Sequence, residues 1–385
     1  MKNDFIEQLD GYRDVAREID IARKYGRDYH LEAGRTRELV ERLHPSRIET
    51  VVSHVLEETA TTHTIRLSPK SGLMPPFQAG QYVTLFLEIN GIVTSRPYSI
   101  SSSPSQNGFY EITVRRVPHG LVSNYLLDNV NTGTPLTISG PSGTFVHNPL
   151  VHENEMVCIA GGSGVTPFIS MVREITSRNL DRRVVLIYGS RELDDIIFHE
   201  ELLHLSRSHQ QLAYYPVIEN PGAGYLGKTG LITSEQVLDI VGSIEGKSFF
   251  ICGPQAMYEF CLPQLEALQI SRKHLRREMY GAPANIWEFP GWPTGVKAHD
   301  TFEIRINGEA TFSARAGTPL INSFEKNHIQ VPTLCRSGEC SMCRVKIVSG
   351  TVFQPPGVPV RQSDRQFGYT HACMSYPLSD LSVLL

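Results

Sequence analysis

The sequence predicts a multidomain chain: a short helical N-terminal extension, an antiparallel β-barrel domain, an α/β domain on a parallel sheet, and a small α+β domain at the C-terminus. Three observations predict it. Between Ile48 and about Phe145, short β-type runs alternate with Pro, Gly and Ser turns. From residue 150 to about 282, apolar runs alternate with helical stretches. After an interval dense in Pro, Gly and Trp, an apparent hairpin opens a last segment rich in cysteine. A length of 385 residues itself asks for two or three cores.

Each element follows in chain order. Residues 1–46 carry many charges and show helical spacing at Leu31, Leu39, Val40 and Leu43 before the His44-Pro45 break. Their apolar faces must be buried somewhere: on the chain itself, on a second copy or on a partner. In 47–149 the runs VVSHVL, THTIRL, QYVTLFLEI, YEITVRRV and PLTISG are the strands of a small antiparallel barrel or sandwich, with one helix beginning near Leu121. In 150–282 the strands EMVCIA, RRVVLIYG, QLAYYPVI and KSFFICG alternate with helices at 167–178, 197–207, 234–241 and 255–269, which argues a doubly wound parallel sheet. Residues 283–298 are expected to be a linker without regular structure, and 299–385 a third compact unit opened by the hairpin TFEIRING and EATFSARAG.

Composition narrows the function. Hydrophobic residues at 41% and charged residues at 20% describe a globular protein, and no run is long and apolar enough to span a membrane. The N-terminus MKNDFIEQLDGYRDVAREID has neither an apolar stretch nor a small-residue cleavage site, so a cytoplasmic location is expected. A formal net charge of −4 offers no electrostatic reason for nucleic acid or anionic membrane as partner. Of the seven cysteines, Cys158, Cys252 and Cys261 are scattered, whereas four crowd between Cys335 and Cys373. In a cytosolic chain such crowding points to metal ligation rather than disulfides.

Those four have a specific spacing. Cys335-Arg-Ser-Gly-Glu-Cys340-Ser-Met-Cys343 reads C-x₄-C-x₂-C, with Cys373 far beyond, and this is the plant-type [2Fe-2S] arrangement. Two sulfide-bridged irons need four converging thiolates; a tight loop supplies three and a distant segment one. Ser337, Gly338 and Ser341 are small, which lets backbone N–H groups turn toward the sulfurs. A structural zinc would instead show paired C-x₂-C knuckles. The segment VPTLCRSGECSMCRVKIVSG resembles plant-type ferredoxin domains, which implies a β-grasp fold over roughly 300–385. Glu339 stands where that family often has a small residue, implying an effect on partner contact or potential.

Two further motifs lie upstream. Arg96-Pro97-Tyr98-Ser99, after a strand containing Gly80-Gln81-Tyr82, resembles the flavin-binding R-x-Y-S signature of the ferredoxin–NADP reductase superfamily. The resemblance implies that Arg96 pairs with a flavin phosphate, Tyr98 lies on the isoalloxazine, and Ser99 reaches flavin N5, where hydride arrives. The alternative is an ordinary exposed arginine and a half-buried strand tyrosine. Gly120, Leu121, Val122 and Ser123 open a helix whose free N–H groups suit a pyrophosphate, the alternative being simple helix capping by Ser123. With Gly140-Pro-Ser-Gly143-Thr-Phe145, the resemblance implies FAD, with FMN as the alternative.

After EMVCIA, the turn Gly161-Gly162-Ser163-Gly164-Val165-Thr166-Pro167 leads into an apolar helix, a site for a dinucleotide pyrophosphate at a helix N-terminus. It resembles the G-G-x-G-x-T-P turn of the same superfamily. Cys252-Gly253-Pro254 also matches, and implies a cysteine beside the nicotinamide; its other reading is a small buried hydrophobe. Cys158 and Cys261 read as core residues. Glu278, in HLRREMYG, falls where the superfamily's nucleotide domain meets the flavin and is expected to organise the hydride-transfer site. Tyr188-Gly-Ser190-Arg191 ends the second strand and is expected to approach the adenosine ribose. Ile218-Glu219 ends the third, where a carboxylate repels a 2′-phosphate; NADH is therefore expected over NADPH, although Arg191 offers compensation.

The three signatures stand in the order flavin, nucleotide, ferredoxin. Together they are similar to reductase components that feed oxygenases, and imply an NAD(P)H:acceptor oxidoreductase passing electrons through FAD and the cluster to a protein acceptor: an oxygenase, a haem protein or another low-potential enzyme. The rival readings are a stand-alone diaphorase or flavin reductase, and a redox-sensing module without turnover.

Overall fold

The computed structural model describes residues 11–26 and 34–385, in two compact units, 1–46 and 47–385. In the first unit the helices Tyr12–Tyr25 and Arg35–Leu43 contain no buried residue. Leu39 and Val40 are exposed on the second helix, and Leu31 lies outside the described residues.

The larger unit opens with six antiparallel strands: β1 (Ile48–Thr59), β2 (Thr62–Pro69), β3 (Tyr82–Ile89), β4 (Ile92–Ser99), β5 (Tyr110–Arg115) and β6 (Pro135–Ile138), in the order β4-β3-β6-β1-β2-β5. A bridge between Ile100 and Ile112 joins the two ends of that order and closes the sheet. Alternation decides which face is inside: Val83, Leu85, Leu87 and Ile89 of β3 meet Ile65, Leu67, Ile112 and Ile138 in the core. Asn90-Gly91, both at positive φ, make the tight turn from β3 to β4 that right-handed strand twist favours. The single helix of this region, Leu121–Asn129, begins where the sequence predicts it.

Next come β7 (Glu155–Gly161), β8 (Arg183–Ser190), β9 (Leu212–Ile218), β10 (Lys228–Thr229), β11 (Lys247–Cys252) and β12 (Leu275–Glu278), parallel in the order β10-β9-β8-β7-β11-β12. Both faces are covered, as a parallel sheet requires. Met156, Cys158 and Ala160 pack toward helix Thr166–Ser177, while Val157 and Ile159 pack with Val237, Tyr258, Cys261 and Leu265 of helices Ser234–Val241 and Gln255–Ala267. Cys158 and Cys261 are core residues, as their scattered positions suggest. The strand order reverses between β7 and β11, so Ala160 and Cys252 are register partners and the two motifs that follow them are neighbours.

The C-terminal region contains β13 (Thr301–Ile306), β14 (Ala310–Arg315), β15 (Arg344–Ser349), β16 (Val352–Phe353), β17 (Tyr369–His371), β18 (Tyr376–Pro377) and β19 (Leu381–Leu384). The main sheet runs β14-β13-β19-β15-β17, and β16 pairs with β18. Helix Leu320–Lys326 lays Leu320, Ile321 and Phe324 on this sheet's core. The interval 283–298 has no strand or α-helix, only the 3₁₀ turn Ile286–Glu288, yet it is packed rather than loose. Ile286 is fully buried with Phe353 and Tyr376, and Trp292 lies edge-on to both rings. Apolar side chains that the spacing of Pro and Gly does not reveal anchor it.

The barrel touches both neighbours. Ser170 and Arg173 of helix Thr166–Ser177 donate to the carbonyls of Ser102 (2.7 Å) and Ser101 (2.8 Å). Thr84 donates to the carbonyl of Leu334, just before the cysteine loop, at 3.2 Å.

Candidate functional site

One cleft of about 710 Å³ collects residues from all three regions. One wall is the end of β4, where Arg96, Pro97, Tyr98 and Ser99 all face the cleft. Arg96 is held in place from below: its Nη1 donates to Thr94 Oγ1 (2.8 Å) and to the carbonyl of Ser95 (2.7 Å). Burial lowers its pKa from a very high starting value, leaving a cation at neutral pH to meet an anionic ligand. Burial pushes the Tyr98 phenol up, so the side chain that lines the cleft is neutral.

The next wall is the start of helix Leu121–Asn129, with Gly120, Leu121 and Ser123 on the cleft. Gly120 is the N-cap and makes no side-chain capping bond. Ser123 is therefore not the cap that one reading of the sequence made it. It sits inside the first turn, and its Oγ accepts from the backbone N–H of Val117 at 3.2 Å, folding the chain back toward β5. A Cβ at Gly120 would stand 2.5 Å from that Oγ, so the turn needs glycine. Val122 points into the barrel core, leaving only its backbone for a ligand.

The glycine-rich turn forms the far side, through Ser163 and Thr166. Its glycines are there for closeness: a Cβ on Gly164 would lie 2.0 Å from the carbonyl oxygen of Cys252, and one on Gly161 2.5 Å from Met257 Sδ. Pro167 is buried in the first turn of the helix, where its missing N–H costs nothing. Cys252 is fully buried; burial first, and Glu278 second, raise its pKa, so it is a neutral thiol. Gly253 donates to Tyr258 Oη at 3.2 Å, and Pro254 caps helix Gln255–Ala267.

Tyr280, which sequence reasoning missed, unites these groups. Its hydroxyl lies 3.1 Å from Ser99 Oγ and 3.2 Å from Thr166 Oγ1, and it also hydrogen-bonds Cys252. It is 39% exposed because its ring borders the open cleft. The available signal was an aromatic residue two places after Glu278, at the end of the nucleotide region. Glu278 itself is not on the cleft wall. Its Oε2 is buried without a partner, and burial, then the charges of Glu339 and Cys335, push its pKa up to about 8. Arg115, also missed, borders the cleft, pairs with Asp195 and lies against Gly162.

One expectation about β8 needs correction. Tyr188 does not approach a ribose: it is fully buried, donates to the carbonyl of Gly162 at 2.8 Å and accepts from Ile197, tying the glycine turn to the sheet. Ser190 turns its hydroxyl to the carbonyl of Glu192 at 2.9 Å. Arg191 is exposed at the strand end, and the chain there pairs with the Glu219 segment through Glu219 N–H and Ser190 O at 2.9 Å.

The four C-terminal thiols form two pairs, Cys335 with Cys340 and Cys343 with Cys373, each joined by a thiol hydrogen bond. Cys340 alone is half-buried; the others are buried. The Cys340 thiol, helped by the backbone N–H groups of Cys340 (3.3 Å) and Ser337 (3.4 Å), holds Cys335 down to about 5. Cys343 is lowered in the same way by Cys373. Arg336, Gly338 and Ser341 at positive φ turn the loop so that N–H groups face sulfur. Among the described residues no three His, Cys, Asp or Glu side chains close around a single ion. Four thiols, three from one tight loop and one from a distant segment, are the donor set that a [2Fe-2S] cluster takes. Of the four thiols, Cys373 is the one that reaches the cleft.

Comparison with known proteins finds three domains in succession. Residues 51–147 match the oxidoreductase FAD-binding domain, 158–262 the oxidoreductase NAD-binding domain, and 304–378 the 2Fe-2S iron-sulfur cluster binding domain. The chain is 29% identical over 351 residues to the glycine betaine monooxygenase reductase subunit of Chromohalobacter salexigens, covering 86% of this chain and 93% of that one. It is 32% identical over 239 residues to the ferredoxin–NAD(P)(+) reductase component of the naphthalene 1,2-dioxygenase system of Pseudomonas putida, covering 62% and 70%. Among solved structures, phthalate dioxygenase reductase superposes with a TM-score of 0.65 at 22% identity over 88% of this chain and 98% of that one, a likeness of fold.

Proposed function

The chain belongs to the reductases of the ferredoxin–NADP reductase superfamily that carry FAD-binding, NAD-binding and C-terminal 2Fe-2S domains, and from that premise we propose how its residues divide the work. It is an NAD(P)H-dependent electron-transfer oxidoreductase. Bound FAD supplies the exchange between a hydride pair and single electrons, and the cluster the one-electron carrier.

Residues 47–149 hold the flavin, 150–282 the nucleotide and 299–385 the cluster, with 283–298 joining the last two and 1–46 appended. Arg96 and the helix start at Gly120–Ser123 receive the flavin phosphates; Tyr98 supports the ring; Ser99 orients the hydride-accepting edge. Gly161, Gly162, Gly164 and Thr166 receive the pyrophosphate of NADH, and Ser190 and Arg191 border its ribose. Cys252, a neutral thiol, and Tyr280 occupy the place where the nicotinamide must arrive. Glu278 acts from behind Tyr280. Cys335, Cys340, Cys343 and Cys373 hold the irons.

The observation that carries this reading is the shared cleft: the β4 motif, the helix start, the glycine turn and Cys373 line one space. Proximity of that kind has no use in three unconnected binding modules. The acceptor is an oxygenase component, by analogy with the relatives that serve a monooxygenase and a dioxygenase system. Among the described residues no helix is long and apolar enough to cross a membrane. NADH is the donor because Glu219 repels a 2′-phosphate; equal or better kcat/KM with NADPH would remove that assignment.

Rapid mixing of the anaerobic holoprotein with NADH tests the site. Ser99→Ala is expected to keep its flavin but slow flavin bleaching by about 100-fold or more, the range for losing a positioned polar donor. Bleaching at the parental rate would sink the role of Ser99.

A further inference from the structure

On the wall of the cleft, a largely buried carboxylate joins the flavin strand to the cysteine loop. Glu325 is at the end of helix Leu320–Lys326, and its side chain is 11% exposed. Its Oε2 accepts from Thr94 Oγ1 of β4 at 3.1 Å and lies 4.0 Å from Arg96 Nη1. Its Oε1 accepts from Arg336 Nη2. Arg336 is the residue immediately after Cys335, and its side chain is 6% exposed. Besides Glu325, its guanidinium donates to Asn322 Oδ1 at 3.1 Å, Thr94 Oγ1 at 3.4 Å and Ser95 Oγ at 3.5 Å. Ser95 Oγ in turn pairs with Thr333 Oγ1 at 2.6 Å.

This placement has a physical consequence. Taking a guanidinium and a carboxylate out of water gains little stability over an apolar contact of the same shape, but it punishes every arrangement that separates the pair. The forked donors of Arg336 need the oxygens of Thr94, Ser95, Asn322 and Glu325 in one geometry. Glu325 therefore permits one seating of the cysteine loop on β4. The two arginines it bridges are the one that faces the flavin's place in the cleft and the one next to the first cluster ligand.

We propose that Glu325 and Arg336 are positioning residues that set the separation between flavin and cluster, and hence the rate at which electrons cross from one to the other. The inference rests on the functional reading above and adds to it a step: control of transfer between the two centres, distinct from binding either of them. Neither side chain hydrogen-bonds Ser99 or Tyr280, and neither belongs to the four cysteines.

The test uses the oxidised holoprotein and three variants: Glu325→Gln, which keeps shape and removes charge; Arg336→Lys, which keeps charge and removes the fork; and the double variant Ser95→Ala/Thr333→Ala, which leaves the cysteine loop's own side chains intact. After rapid mixing with NADH, flavin bleaching and cluster reduction are followed separately. The expected result is parental bleaching with cluster reduction slowed severalfold or more in Glu325→Gln and Arg336→Lys. Amide hydrogen exchange of the oxidised proteins, which involves no turnover, is expected to quicken in 92–95 and 333–336 and not in the nucleotide domain. Unchanged cluster reduction, or bleaching and cluster reduction slowed equally, overturns the proposal. Should Glu325→Gln lose flavin or cluster, the double variant decides by the same two rates. If the parental holoprotein shows no bleaching by NADH, the failure belongs to the functional reading instead.

Discussion

At the scale of single residues, two positions separate contact from chemistry. Cys340 is the half-buried member of its thiol pair and the one whose thiol lowers Cys335. Cys340→Ser is expected to abolish the [2Fe-2S] absorption and cytochrome c reduction while leaving NADH-driven ferricyanide reduction, since the flavin precedes the cluster. Equal loss of both activities would break that order. Gly164 has no chemistry of its own, only the 2.0 Å approach of an added Cβ to Cys252 O. Gly164→Ala must push the turn away from β11, which costs about 1–3 kcal/mol as an overpacked contact. The outcome to look for is a lower melting temperature together with a raised KM for NADH; an unchanged pair of values would mean the turn is free to move. Tyr280 shows the opposite case, a residue with chemistry but no motif. Its partners Ser99 and Thr166 are 181 and 114 positions away, so no local pattern marks it.

At the scale of elements, the connection from the barrel to β7 carries a pH dependence. His152 is 8% exposed, edge-on to Phe250 at 5.0 Å, and its Nδ1 accepts from the N–H of Asn148 at 3.0 Å. That bond requires an unprotonated Nδ1, and burial, with His147 second, pushes its pKa down to about 4. The unfolded chain protonates this imidazole near pH 6.5. Between those values the unfolded state binds a proton that the folded state refuses, so stability is fully present above about pH 6.5 and is lost as pH falls toward 4. Burial lowers His147 as well, in the same sense. A melting temperature that drops by a few degrees from pH 7 to pH 5, and drops less in His152→Gln, is the expected result. Parallel pH profiles for the two proteins would remove His152 as the source. The glycine turn belongs at this scale too: Tyr188 reads as a ribose neighbour from its strand-end position, but strand pairing turns it inward to hold Gly162.

At the scale of the molecule, residues 47–385 are compact without the preceding segment. A protein beginning at Arg47 is expected to fold with flavin and cluster spectra and undiminished NADH–ferricyanide activity; precipitation or loss of flavin would make residues 1–46 part of the fold. The sequence by itself determined the fold class and the succession of FAD-binding, NAD-binding and 2Fe-2S domains, and it supplied the candidate cluster ligands and the motifs at β4, the glycine turn and Cys252. It could do so because each is a local pattern: alternation, strand–helix succession, and small residues or thiols at fixed spacing dictated by a cofactor's shape. Only the tertiary structure decided that these motifs share a cleft, that Tyr280 lines it and Glu278 does not, that Ser123 is not a cap, and that 283–298 is packed. It also placed Glu325 between Arg96 and Arg336, side chains 229 and 11 positions from it in the chain. The reason is the same in every case: which hydrogen-bond partner or apolar neighbour a side chain finds is settled by packing between domains, and no spacing along the chain encodes it.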